Sequence, residues 1–172
     1  MKLNKNQSVL YFVTLLCILL FSSETLKAED HVIVDGMIIW SKEADATADM
    51  PKLAQQQVQY MNDALRLSSV PLTIRIVYSG VVNFQEGSTS SRASHDKFTK
   101  GRGELAVEHK IRDEYGADIA ALLCKNAGLV ATSDGWDKRA DKSIGNPAKA
   151  FTTLNINFMK SYPEILAHEW GH

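Results

Sequence analysis

Along residues 31–172 short apolar runs alternate with stretches in which apolar side chains recur every three or four positions. Residues 31–40 (HVIVDGMIIW) are β-branched or apolar almost throughout, the pattern of a buried strand. Asp49 then stands as an N-cap with Pro51 in the first turn. Met50, Leu53, Ala54, Val58, Met61 and Leu65 mark one helical face that stops at Ser68, Ser69 and Pro71. Residues 72–78 (LTIRIVY) alternate as a second strand, with Val81, Val82, Asn83 and Phe84 close behind. Residues 85–102 are polar, rich in Ser, Thr and Gly and without period; they read as a surface loop open to proteolytic nicking.

Residues 103–115 predict a helix stopped by Gly116, and residues 118–123 (DIAALL) a buried strand. Residues 128–132 (GLVAT) read as a short additional strand, followed by a Gly/Asp/Lys-rich loop through Pro147. In residues 150–158, Leu154, Ile156 and Phe158 alternate with Thr153, Asn155 and Asn157, giving one apolar and one polar face. Ser161-Tyr162-Pro163-Glu164 has the form of a capping box with Pro in the first turn, opening a helix seven residues before His168. Strand, helix, strand, helix, strand predicts an α/β fold, a twisted and mostly parallel sheet with packed helices. No internal repeat or long low-complexity tract interrupts it.

The first residues follow a different rule. Lys2 and Lys5 precede an uncharged apolar run at 9–21 (VLYFVTLLCILLF), and Ser22, Ser23 and then Ala28 follow it, the layout of a secretory signal peptide cleaved after Ala28. Thirteen helical residues rise about 20 Å, against a hydrocarbon core of about 30 Å. A removed signal over residues 1–28 is therefore favoured over an uncleaved anchor. It leaves a domain at 29–172, secreted or periplasmic, with no stable membrane insertion. Leu16 before Cys17 is too large for a lipidation site.

The remaining composition, 45% hydrophobic and 23% charged over 172 residues, is that of one globular domain. Nineteen basic against twenty acidic residues give a net charge of −1, and loss of Lys2, Lys5 and Lys27 with Glu24 makes the mature part more acidic. A nucleic-acid partner is excluded, since phosphate neutralisation needs a basic excess or face. Two cysteines build no disulfide framework. Cys124, in the apolar run 120–124, reads as a buried small hydrophobe. A bond to a cysteine beyond residue 172, or a metal-directed thiol, are its alternatives.

The chemistry concentrates in the last five residues. His168-Glu169-Trp170-Gly171-His172 is an HExxH run. On a helix, His168 and His172 project from one face and can take two positions on one Zn2+. Glu169 can reach a water held at the metal as general base; the metal brings that water's pKa toward about 7, and the proton passes to the leaving amine. HExxH also arises by chance, and the bland reading is a pair of solvated histidines. The capping sequence, the apolar Ile165 and Leu166, and a preceding strand for the helix to pack on all favour the zinc reading. Elsewhere, His31 and His95 read as solvated, and His109 as a surface or half-buried helix residue. Asp134, Asp137 and Asp141 around Gly135 lack EF-hand spacing, so calcium is unsupported. Trp40, Trp136 and Trp170 read as core or cleft wall. No G-x-S-x-G elbow or phosphate loop is present.

The HEWGH run resembles the start of the metzincin signature HExxHxxGxxH, in which a downstream Gly turns the chain and a third His completes the zinc site. Upstream, Ile111-Arg112-Asp113-Glu114-Tyr115-Gly116-Ala117-Asp118, followed by the strand at 119–123, is similar to bacterial reprolysin-like metallopeptidases, in which an RDxYGAD stretch feeds a sheet strand. The GMIIW strand and the helix ending before LTIRIVY suit the same group. The resemblance spans residues 32–172, and its specific parts are HExxH and 112–118. It implies the N-terminal subdomain of a metzincin-type catalytic domain, with His168 and His172 as the first two ligands of one catalytic Zn2+ and Glu169 as general base. It also implies that Gly128, Leu129, Val130, Ala131 and Thr132 form the edge strand along which an extended protein or peptide substrate pairs.

The second Gly, third His and Met-turn of that pattern would lie beyond His172. Two protein ligands hold zinc weakly where catalytic sites provide three and a water, so the chain is expected to be an N-terminal piece of a longer enzyme, inactive alone. The short interval between signal and first strand does not support a cysteine-switch pro-segment. The function expected is a secreted zinc endopeptidase that hydrolyses peptide bonds by metal-activated water. Two alternatives stand beside it. One is a catalytically inactive secreted binding domain of the same fold, distinguished by whether a histidine occurs six positions past His172. The other is a gluzincin-type peptidase with a distant Glu on a second helix as third ligand.

Overall fold

Apolar runs that pair in parallel set the architecture. The computed structural model describes residues 31–86, 91–126, 132–133 and 150–171. Its strands are β1 (Val32–Trp40), β2 (Leu72–Val81), β3 (Ile119–Cys124), β4 (Thr132–Ser133) and β5 (Phe151–Asn155), in the sheet order β2-β1-β3-β5-β4. The pairs β1–β2, β1–β3 and β3–β5 are parallel, and β4 runs antiparallel to β5 at one end of the sheet. β3 is buried along all but its first residue, as expected for a parallel strand covered on both faces.

Successive residues of β1 serve opposite faces. Ile38 and Trp40 join Met61, Leu123, Leu154 and Leu166 in one core, while Met37 and Ile39 join Phe84, Phe98, Leu122 and Phe151 in the other. The first face is covered by α2 (Met50–Leu67), which follows the short α1 (Lys42–Asp45). The Asp49 side chain accepts from Lys52 N–H at 3.2 Å, so the predicted cap closes α2 as the sequence reading expects. The second face is covered by α3 (Ser91–Thr99) and by α4 (Ala106–Tyr115), entered through a 3-10 turn at Gly103–Leu105.

The Arg112–Asp118 block proves to be a helix stop that seats β3. Gly116 takes φ +65°, the left-handed conformation that ends α4. Arg112 donates to the carbonyls of Ala117 (2.9 Å) and Asp118 (2.5 Å), and its guanidinium lies 4.7 Å over the Phe151 ring. Asp118 then meets β1 twice, its N–H donating to Asp35 O and its carboxylate accepting from Asp35 N–H.

Three expectations are corrected. Residues 85–102 do not form a solvated loop, because α3 lies within them and buries Ser94, His95 and Phe98. Two of those three inward residues are polar, so no apolar period marks the helix. The alternation in 150–158 ends as a strand at Asn155, whose side chain accepts from Asn157 N–H and starts α5 (Ile156–Ser161). Thr152 and Thr153 on β5 are both buried, so neither face of this strand is the polar, solvated one expected. The capping box does not form either. Ser161 ends α5 with its hydroxyl donating to Asn157 O, and the next helix, α6 (Ile165–Trp170), begins only three residues before His168 with no side-chain cap. Tyr162, held out of the helical region ahead of Pro163, separates the two. Among the described residues no helix is long and apolar enough to cross a membrane. The expected signal at 1–28 and the loop preceding Pro147 lie outside the described residues.

Candidate active site

α6 carries His168 and Glu169, and its six residues are too few to hold a helix without tertiary support. That support comes from Leu166, fully buried, and from Ile165, Ala167 and Trp170, packed half-buried on the first core. The Trp170 indole lies against β1 at Gly36, where a Cβ would come within 3.1 Å of Trp170 Cη2. Main-chain bonds from His168 N–H to Glu164 O (2.9 Å) and from Gly171 N–H to Ala167 O (3.0 Å) continue the turn. The helix touches α2, β4 and β5, which sets it beside the antiparallel end of the sheet.

Adjacent side chains on α6 meet different surroundings. His168 is exposed and forms one wall of a shallow pocket of about 330 Å³ with Phe158, Tyr162, Glu164 and Ile165. Glu169 is 7% exposed, its carboxylate withdrawn from bulk water. His172 lies outside the described residues. Among the described residues no three His, Cys, Asp or Glu side chains come together as a metal cluster. The donor chemistry fits zinc: an accessible imidazole at 168, a second imidazole four positions on in the sequence, and a sheltered carboxylate beside the first.

Of the five residues predicted to bind substrate, Thr132 is placed in β4, paired with Thr153 of β5 at the sheet's end, while Gly128, Leu129, Val130 and Ala131 lie outside the described residues. Asp134, Trp136, Asp137 and Asp141 do as well.

The other histidines divide. His31 is exposed and its Nε2 meets Thr73 Oγ1 at 2.8 Å. His109 is half-buried, stacked on Phe151 with Nε2 donating to Phe98 O at 2.6 Å. His95, expected in solvent, is 2% exposed, and its Nδ1 lies 3.2 Å from Thr153 Oγ1. The cause is α3, which turns that position onto β5. Cys124 is a buried free thiol, pushed well above the usual thiol range by burial and by the nearby Glu86 and Glu43 carboxylates. Its complete burial beside Leu122 and Phe151 is that of the small hydrophobe expected.

A larger cavity of about 420 Å³ lies between α2, β1, β2 and the end of α6, walled by Val34, Met61, Leu65, Ile74 and Trp170 among others. Among the described residues its lining is mostly apolar and contains no His, Cys, Asp or Glu. Two supporting residues escape sequence reasoning altogether. Gly36 reads as one more strand residue until Trp170 is seen against it, and Glu86 reads as part of a polar loop although it is buried.

No protein-family model matches the chain. Among curated proteins it is 26% identical over 149 residues to the peptidyl-Asp metalloendopeptidase of Pseudomonas aeruginosa, an alignment covering 81% of this chain and 24% of that protein. Among solved structures it is similar to a chain in a chaperone–substrate complex, with a TM-score of 0.61, 14% identity, and coverage of 81% of this chain and 22% of the other. The structural likeness is one of fold, a mixed α/β domain with four parallel strands and packed helices. The chain thus spans 24% and 22% of the lengths of the two proteins it matches here, and over that span the sequence likeness is to a protein named as a metalloendopeptidase.

Proposed function

We propose that this chain is the zinc-binding part of a secreted metalloendopeptidase of metzincin type. The observation that carries the reading is the helix α6, which puts an exposed His168 next to a sheltered Glu169 within an HExxH run, beside the edge of the sheet. The distant likeness to a protein named as a metalloendopeptidase supports a metal-dependent peptidase at the coarse level.

His168 and His172 would hold the ion through their imidazole nitrogens. When bound, zinc supplies Lewis acidity that brings a water's pKa toward about 7. Glu169 takes the proton of the attacking water and passes it to the leaving amine, and its burial limits exchange of that proton with solvent. Gly128, Leu129, Val130, Ala131 and Thr132 would orient an extended protein or peptide substrate by backbone pairing, a role supported by the place of Thr132 in β4 at the sheet's end. Residues 1–28 direct the protein to secretion or the periplasm.

The full-length protein carrying Glu169→Gln should lose at least about 100-fold in kcat, the worth of a positioned general base, with zinc content unchanged. His168→Ala should lower zinc content itself. Undiminished hydrolysis by the Glu169→Gln protein sinks the proposal.

A further inference from the structure

Beyond the carboxyl ends of β1, β2 and β3 one buried carboxylate gathers three stretches of chain. Glu86 is 1% exposed. Its Oε1 accepts from the Ser41 hydroxyl and from Lys125 N–H at 2.7 Å, and its Oε2 accepts from Asn126 N–H. Ser41 follows β1 directly, caps α1 by accepting from Ala44 N–H at 3.0 Å, and donates its own N–H to Leu123 O at 3.0 Å. Lys125 and Asn126 follow β3 directly.

The sheet does not need this arrangement for its pairing, because β1 and β3 are already joined in register from Gly36↔Ile119 to Trp40↔Leu123. Burying a carboxylate costs free energy unless donors replace its water, and here three donors converge on it. What the arrangement specifies is the direction in which the chain leaves β3. In the sequence the next strand is β4, both of whose residues pair with β5, Thr132↔Thr153 and Ser133↔Thr152. Thr153 is held from below by His95. The described residues on either side of 127–131 are therefore both held, Lys125 and Asn126 by a buried carboxylate and Thr132 by a strand backed by a buried imidazole.

We propose that Glu86 is a positioning residue for peptide binding, fixing the exit of β3 so that the edge at β4 presents its backbone in register with an extended substrate. The proposal rests on the reading that this edge takes substrate. Its chemistry ranks the variants. Glu86→Asp keeps both oxygens and the charge on a shorter stem. Glu86→Gln turns an NH2 group toward one of the donors, and Glu86→Ala leaves all three donors buried without an acceptor.

The test uses the full-length, zinc-loaded protein with two peptides, one long enough to lie along the edge strand and one reaching little beyond the scissile bond. Glu86→Ala should raise KM for the long peptide about tenfold more than for the short one, the worth of one or two backbone hydrogen bonds, with Glu86→Asp recovering most of the difference. Amide hydrogen exchange should accelerate at Lys125, Asn126, Thr132 and Ser133 while β1 and β2 keep their protection. A rise in KM that is equal for both peptides, or exchange that accelerates throughout β1–β3, overturns the proposal and leaves the peptidase reading standing. A wild-type protein that hydrolyses neither peptide overturns the peptidase reading and the substrate role of Glu86 with it.

Discussion

Glu108 sits on α4 at 2% exposure, and its Oε2 has no hydrogen-bond partner among the described residues. Burial holds its carboxyl above the usual range, and its charge helps raise the neighbouring Tyr78 hydroxyl, which burial raises first. A carboxyl whose pKa is higher in the folded than in the unfolded state binds its proton more tightly when folded. Its contribution is fully present below the unfolded value and is lost as pH rises through the folded value. Glu108→Gln keeps the shape without the charge, so its thermal midpoint should exceed wild type at neutral pH and converge with it in acid. Parallel curves for the two proteins would mean that Glu108 does not titrate in this way. Asp35 works in the opposite sense. A two-pronged bond from Arg75 at 2.7 Å holds its carboxyl below the usual range, so its help is present above the unfolded value and fades in acid. The Arg75 side chain is largely exposed, so solvent screening keeps this contribution small.

At the scale of elements, placement of α6 depends on a residue far away in sequence. A side chain at Gly36 has to displace the Trp170 ring, since even a Cβ would stand 3.1 Å from Cη2 and 3.6 Å from Ile74 Cγ2. Gly36→Val should therefore cost about 1–3 kcal/mol by overpacking and also weaken zinc binding, because the displaced ring belongs to the helix that bears His168. Gly116→Ala is the control: it strains the left-handed cap of α4 by about 1 kcal/mol and should leave zinc affinity alone. Denaturation midpoints and zinc titrations of both proteins separate the two effects, and equal zinc affinity in both would remove Gly36 from the support of the site. The same comparison explains which elements are legible in the sequence. α2 is readable because Asp49, Pro51 and the apolar spacing agree on one element. α3 is not, because its inward stripe is Ser94, His95 and Phe98. The period-two pattern of Leu154, Ile156 and Phe158 runs unbroken from β5 into α5, so it carries no mark of the boundary at Asn155. His168 and Glu169 are legible as a motif, whereas Gly36 and Glu86 acquire meaning only from partners that the fold brings to them.

At the largest scale, the described residues form one sheet with a core on each face, and β3 belongs to both. Ala121 and Leu123 point into the core under α2 and α6, while Ala120, Leu122 and Cys124 point into the core under α3 and α4. A strand shared in this way couples the faces, since neither core can open without exposing residues of β3 to water. The faces carry separate reporters. Trp40 and Trp170 belong to the first, and the buried, poorly reactive thiol of Cys124 belongs to the second. With Cys17→Ser and Trp136→Phe removing the other cysteine and tryptophan, urea unfolding followed by fluorescence and by thiol labelling should give one midpoint. Leu122→Ala and Leu123→Ala act on opposite faces, and each should cost about 2–5 kcal/mol, the range for emptying a buried leucine site. Coupling through β3 requires that either substitution move both reporters together. A substitution that moves only the reporter on its own face would show two cores that unfold independently.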